Sequence, residues 1–404
     1  MKTKSIALLI VLISLKTTKA QISNLYPNDI GIQTNSNVIF TEMFEESSVS
    51  TLTLSGNWDQ ATTVTNNIVF DSSVPATSTG SQSLRLRTVD DGTNLNENTF
   101  IYKKIQPDIL DSVFVRFYIK YDNATVYHHS GVYIGGKNPP SSTAGLVGGV
   151  LVQGNQEFHV GAEIRGLANN TATNTSTFGF YNYWMNMKPS AITNTLTNQP
   201  FYYGNQFLNS TTSDDINMST WNCIEVMVKL NNPVTSYNGE QALWVNGIKI
   251  NHYGYNFPTG TWNYGNFTEG TGNPFEGFQW RNDMALNLNY IWLKNFNDNN
   301  GPGHVGNIYF DHLVVAKSYI GPIAVPNGIQ MNSEENQRLK IFPIPSSELI
   351  NFSEKVNAFD IYNVYGEKIF TQSIPSGSFS TANLKDGIYF MRASNSIQKF
   401  VVKH

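Results

Sequence analysis

The chain has 404 residues and a formal net charge of −4, with 26 Lys and Arg against 30 Asp and Glu. That balance provides no whole-chain basic field and speaks against nucleic acid or a membrane surface as partner. Only 14% of residues are charged while 13% are aromatic, and neutral amides, hydroxyls and glycines fill the polar positions, which excludes the usual texture of a cytosolic α/β enzyme.

The first twenty residues carry Lys2 and Lys4, then an apolar stretch from Ser5 to Leu15, then Lys19-Ala20-Gln21. This is the pattern of a signal peptide over residues 1–20, too short to span a bilayer. No later segment is long and apolar enough to cross a membrane, so a soluble, exported and monomeric mature protein is expected. The single cysteine, Cys223, cannot form an internal disulfide and lies in an apolar strand pattern, which reads as a buried thiol.

Residues 21–320 read as one large all-β domain, a jelly-roll sandwich, with strands between Gly, Asn and Pro turns. Ser112 to Tyr121 alternates: Val113, Val115, Phe117 and Ile119 on one face, Phe114, Arg116, Tyr118 and Lys120 on the other. Further strands are expected at Ser83–Arg87, Gly131–Ile134, Phe158–Ile164, Asn222–Leu230, Gln241–Ile250, Asn287–Leu293 and Asn307–Ala316. Asn246-Gly247 is a hairpin turn signal. Residues 321–338, with Pro322, Pro326 and Gly328, read as a linker. Residues 339–404 read as a small Ig-like β module.

Several clusters are candidates for chemistry. Tyr127-His128-His129 leads through a strand into Gly135-Gly136-Lys137. Glycines there thin a sheet and allow close approach of a ligand or backbone; Lys137 is then either a groove lysine or a solvated turn lysine. His159, Gly161, Glu163 and Arg165 share one strand face, which is costly to bury without a purpose. Arg165 there either grips a carboxylate or sulfate in two hydrogen bonds or is an ordinary surface charge. Tyr253 and Tyr255 are candidate acids or sugar-stacking rings. Tyr183, beside Tyr181 and Trp184, is a candidate platform; Arg281 and Asn289 are candidate binding residues or plain packing. Glu225, Glu240 and Glu276 stand isolated, which argues against a hydrolase that needs paired carboxylates. No spacing of His or Cys marks a metal site. Whether the site holds a metal is therefore unknown, and no cofactor is required, although a structural Ca²⁺ held by loop oxygens around Asp311 fits this architecture.

Two resemblances add to this reading. Leu339-Lys340-Ile341-Phe342-Pro343-Ile344-Pro345, then Tyr362-Asn363-Val364-Tyr365-Gly366 and the terminal Phe400-Val401-Val402-Lys403-His404 resemble the C-terminal sorting domain of the type IX secretion system. That implies export through this machinery, to the cell surface or the medium. The Gly135-Gly136-Lys137 strand, with the segment Trp221 to Ile250, resembles jelly-roll polysaccharide lyases, ulvan lyases first, with glucuronan and alginate lyases as neighbours. The resemblance implies β-elimination on an anionic, uronate-containing polysaccharide. Lys137 would be base or carboxylate neutraliser, Tyr253 or Tyr255 the catalytic tyrosine, and His128, His159, Arg165, Tyr183, Arg281 and Asn289 would bind substrate. The rival is a non-catalytic carbohydrate-binding or adhesin protein of the same fold.

Overall fold

Alternating apolar residues build two sheets that face each other. The computed structural model describes residues 21–325 and 341–404, apart from 55, 65, 92–93, 106–109, 123–126, 128, 147, 171–174, 209–214, 298–302, 365–366 and 394–395. The chain divides into two compact units after Pro326.

In the larger unit the first sheet holds Ser83–Val89, Ser112–Tyr121, Asn222–Lys229, Glu240–Val245, Ile248–Tyr253 and Val305–Ala316. The second holds Asn98–Lys104, Gly131–Lys137, Glu157–Asn170, Thr175–Tyr183, Asn205–Leu208, Asn266–Glu269 and Tyr290–Phe296. Ser83–Val89, Asn98–Lys104, Ser112–Tyr121 and Gly131–Lys137 step in turn from sheet to sheet. The late strand Val305–Ala316 inserts between Ser83–Val89 and Ser112–Tyr121, and Tyr290–Phe296 inserts between Asn98–Lys104 and Gly131–Lys137. All of these pairs are antiparallel, and this winding is that of a jelly roll. The core between the sheets takes Val113, Val115, Phe117 and Ile119 from one side and Val132, Ile134, Val160, Ile291 and Leu293 from the other. The Asn246-Gly247 turn forms as expected, with φ of 51° and 84°.

The outer face of Ser112–Tyr121 is not solvated along its middle. A segment of short 3-10 turns over residues 22–34 packs Ile22 and Ile32 against Val314, Ala316 and Phe114. Arg116 is thereby fully buried, and its Nη2 donates to Asp29 Oδ2 at 2.6 Å. Gly321 to Ala324, expected to begin a linker, instead pack on this unit. Gly321 N donates to Glu225 at 2.7 Å, Ile323 N donates to Tyr118 at 3.0 Å, and Ile323 is buried.

The smaller unit has a sheet of Ile341–Phe342, Leu349–Val356 and Ser376–Ser380. A second sheet is formed by Phe359–Asn363, Lys368–Gln372, Gly387–Ala393 and Ser396–Val402. Ile350, Phe359, Ile361, Met391 and Phe400 fill its own core.

Candidate active site

The second sheet turns its unusual residues away from the core. Because side chains alternate along a strand, register collects them in rows. Trp292, Tyr133, Gly161, Tyr181, Gln206 and Asn266 lie side by side across neighbouring strands. One step along lie Tyr290, Gly135, His159 and Tyr183; one step the other way lie Lys294, Gly131 and Glu163. The glycines are not open space for a ligand. A Cβ at Gly135 would sit 2.3 Å from the Tyr290 hydroxyl, and one at Gly161 would sit 2.6 Å from the Tyr133 ring. The glycines let the protein's own tyrosines lie across the sheet.

A cleft of 1220 Å³ opens on this face, lined by His129, Tyr133, His159, Glu163, Tyr181 and Tyr183 among others. Glu163 is buried; Tyr133 donates its hydroxyl to Glu163 Oε2, and His129 Nδ1 lies 3.3 Å from Glu163 Oε1. His129 sits at φ 53°, its ring 4.4 Å from that of Tyr181. His159 Nδ1 lies 2.8 Å from the Tyr290 hydroxyl. Burial first, then the nearby Lys294 charge, hold the His159 pKa down at about 3, so this imidazole is neutral at ordinary pH. The Tyr181 and Tyr183 hydroxyl oxygens stand 3.3 Å apart, and Gly204 N donates to that of Tyr181 at 2.9 Å. Burial raises the Tyr183 pKa. Lys294 Nζ rests over the Phe296 ring at 4.6 Å and the Trp292 ring at 5.0 Å.

The expected site residues divide. His159 and Tyr183 line the cleft. Lys137 stands on the same sheet face two residues beyond Gly135, opposite Glu157, just outside the lining side chains. Its Nζ donates to Thr143 O at 3.0 Å and lies 5.8 Å from the Tyr102 ring centre. Partial desolvation lowers its pKa, while the charge of Glu157 opposes that shift. Asn289 is buried beneath, where it accepts from Lys137 N at 3.0 Å and donates to Lys137 O at 2.8 Å. It positions the strand end and does not face the cleft.

Three further expectations are corrected. Tyr253 is fully buried, its ring packed against Phe180, Phe207, Phe267 and Phe275. Tyr255 is exposed in a turn outside the cleft. Arg281 is fully buried; it donates to Leu286 O at 3.0 Å, Asn287 Oδ1 at 2.6 Å and Asp111 Oδ1 at 2.6 Å, so it ties loops together. Each was expected at the site from its type and neighbours; Tyr253 falls on the core face of its strand, while Tyr255 and Arg281 lie in a turn and a loop beyond any strand. His128 lies outside the described residues, and of Arg165 only the backbone, on the strand facing Thr177, is described.

Tyr133 and Lys294 were missed. Their signal was strand alternation within Gly131–Lys137 and Tyr290–Phe296, which needed the register between those distant strands to be read. Glu163, Tyr181 and His129 were visible in the motifs and needed the fold to bring them together. Among the described residues no group of three His, Cys, Asp or Glu side chains is placed to hold a metal ion.

Residues 340–404 match the family model of the secretion system C-terminal sorting domain. This is the smaller unit, and it assigns the chain to type IX export, to the cell surface or beyond. No curated protein matches the chain. Among solved structures, the larger unit is similar to a marine alginate lyase of family PL-14 from Aplysia kurodai, with 12% identity over 70% of this chain and 100% of that one, at a TM-score of 0.43. An alginate lyase from a Chlorella virus has 16% identity over 70% of this chain and 100% of its own, at 0.43. An endo-β-1,4-glucuronan lyase from the fungus Trichoderma reesei has 9% identity over 65% of this chain and 92% of its own, at 0.35.

Proposed function

We propose that the protein is an exported polysaccharide lyase that cleaves a uronate-containing polysaccharide by β-elimination, with ulvan the first polymer to test and glucuronan and alginate next. The observation that carries the reading is the placement of Lys137 and Tyr183 on one sheet face, on either side of His159, with burial lowering the pKa of the first and raising that of the second.

β-Elimination at a uronate needs a base for the C5 proton, donors for the charge that grows on the carboxylate, and an acid for the leaving O4. Desolvation favours the neutral amine of Lys137, the form that accepts a proton. Burial keeps the Tyr183 hydroxyl protonated, the form that donates one. Strand spacing puts their Cα atoms about 12 Å apart, two strands across and two residues along, a span that two long side chains close over a sugar ring. His159, neutral, and Lys294 flank that space with a fixed dipole and a charge. Hydrolysis needs two carboxylates; Glu163 is the one acidic side chain among the described lining residues, and it is buried on Tyr133 and His129.

A second reading, a non-catalytic carbohydrate-binding or adhesin protein, draws on Tyr203 and Tyr264 at the cleft lip, exposed rings that need no chemistry. The deciding experiment incubates the protein separately with ulvan, glucuronan and alginate and follows ultraviolet absorbance of the conjugated unsaturated uronate. A rise establishes the lyase. A flat trace with new reducing ends indicates a hydrolase, and a flat trace with polymer retained indicates a binder.

The reaction as proposed needs no cofactor. A structural Ca²⁺ near Asp311 remains part of the proposal. Asp311 is buried, burial pushes its carboxyl up to about 8, and its Oδ2 meets no hydrogen-bond donor among the described residues. Backbone carbonyls would have to complete the oxygen shell.

A further inference from the structure

The cleft is electrically uneven from strand to strand. Over Tyr290–Phe296, Gly131–Lys137 and Glu157–Asn170 it holds Lys294, His129, His159 and Glu163, with Lys137 beside them. Over Asn205–Leu208 and the hairpin of Thr259–Asn263 and Asn266–Glu269 it holds Gln206, Asn263, Asn266, Tyr203 and Tyr264. No Lys or Arg lines that second half among the described residues. Lys188, held beside it by Asn205, is engaged with Glu276 at 2.7 Å. From Glu157–Asn170 to Asn266–Glu269 is three strand spacings, about 14 Å, room for more than one sugar ring.

Tyr264 is the second, independent observation. It occupies one of two turn positions between paired Asn263 and Asn266, with φ of 49°. Two-residue hairpins usually give such positions to Gly, Asn or Asp, because a side chain at positive φ is strained. Here the position carries a tyrosine that is 60% exposed on the cleft lip. The tip is held in place, since Gln206 N donates to Gly265 O at 2.8 Å. A strained, exposed, anchored ring beside an amide-rich floor is a stacking platform for the apolar face of a sugar.

We infer that the substrate is a heteropolysaccharide whose uronate, bound over the charged half, is followed on the Tyr203 and Tyr264 side by an uncharged sugar. This rests on the lyase reading and sharpens it. A homopolymer of uronates would place a carboxylate over a half that offers it no cation, and a sulfated neighbour would meet the same lack.

The test compares alginate, glucuronan, ulvan and chemically desulfated ulvan, by unsaturated product and by affinity electrophoresis, for wild type, Tyr264→Asn and Tyr264→Phe. Desulfated ulvan should be cleaved best and bound best. Tyr264→Asn should raise KM on it about tenfold, change kcat less, and raise Tm, because Asn relieves the turn; Tyr264→Phe should behave as wild type. Preference for alginate, glucuronan or sulfated ulvan, or an unchanged KM in Tyr264→Asn, overturns the inference and leaves the lyase standing. Absence of unsaturated product from every polymer overturns the lyase and this substrate assignment with it.

Discussion

The two sheets of the larger unit each bury a charged cluster, and the clusters differ in access to solvent. On the outer face of the first sheet, Asp29 Oδ2 takes Arg116 Nη2 at 2.6 Å and lies 2.9 Å from His312 Nδ1, and the 22–34 segment covers them. On the second sheet, Glu163 takes Tyr133 and His129, and the group opens into the cleft. The chemistry of the two groups is alike: a carboxylate, a histidine and a strong donor. The second opens on a cleft of 1220 Å³, whereas Asp29 and His312 border a hollow of 650 Å³ and Arg116 behind them is fully buried. Buried charge by itself therefore marks either a staple or a site, and access to solvent decides which.

The comparison can be broken where the effects are largest. Arg116→Met leaves Asp29 buried with one partner fewer, and stability measured by denaturant unfolding should fall by about 3–5 kcal/mol. Activity per folded molecule should stay near wild type. On the cleft side the signs reverse: Tyr183→Phe and Lys137→Ala should each lower kcat/KM by about 10²–10⁴, with Tm nearly unchanged. A large Tm loss in either, without loss of activity per folded molecule, would return that residue to a structural role.

His159 sharpens the contrast through pH. Its folded pKa, about 3, lies below its ordinary 6.5. The unfolded chain therefore takes up the proton first as pH falls. Its contribution to stability is complete above pH 6.5 and is lost as pH drops toward 3. His159→Gln should flatten that acid side of the Tm profile, which calorimetry across the range would read. The smallest effect belongs to Tyr253→Phe. Its ring stays packed in the aromatic cluster, so activity should be unchanged and stability should fall by about 1 kcal/mol.

Much of the fold was legible in local pattern. Ser112–Tyr121 has the expected boundaries, and the Asn246-Gly247 hairpin forms where the dipeptide demands. The site was legible only in fragments. His159, Glu163 and Tyr183 could be seen to lie on strand faces, but not which strands are neighbours. Tyr253 carried the right chemistry in the wrong place, because alternation names two faces and does not say which one the other sheet covers; Arg281 lies in a loop, where alternation says nothing.

The sequence by itself determined the all-β class, the strand faces and the sorting tail, since these follow from alternation, turn residues and a terminal motif read along a continuous stretch. Tertiary structure alone decided that Tyr133 packs on His159 and Lys294 lines the same cleft, that Arg116 is sealed, and that Tyr264 reaches the cleft lip. Those facts depend on register between strands far apart in the chain, and a shift of one residue turns a side chain from core to cleft.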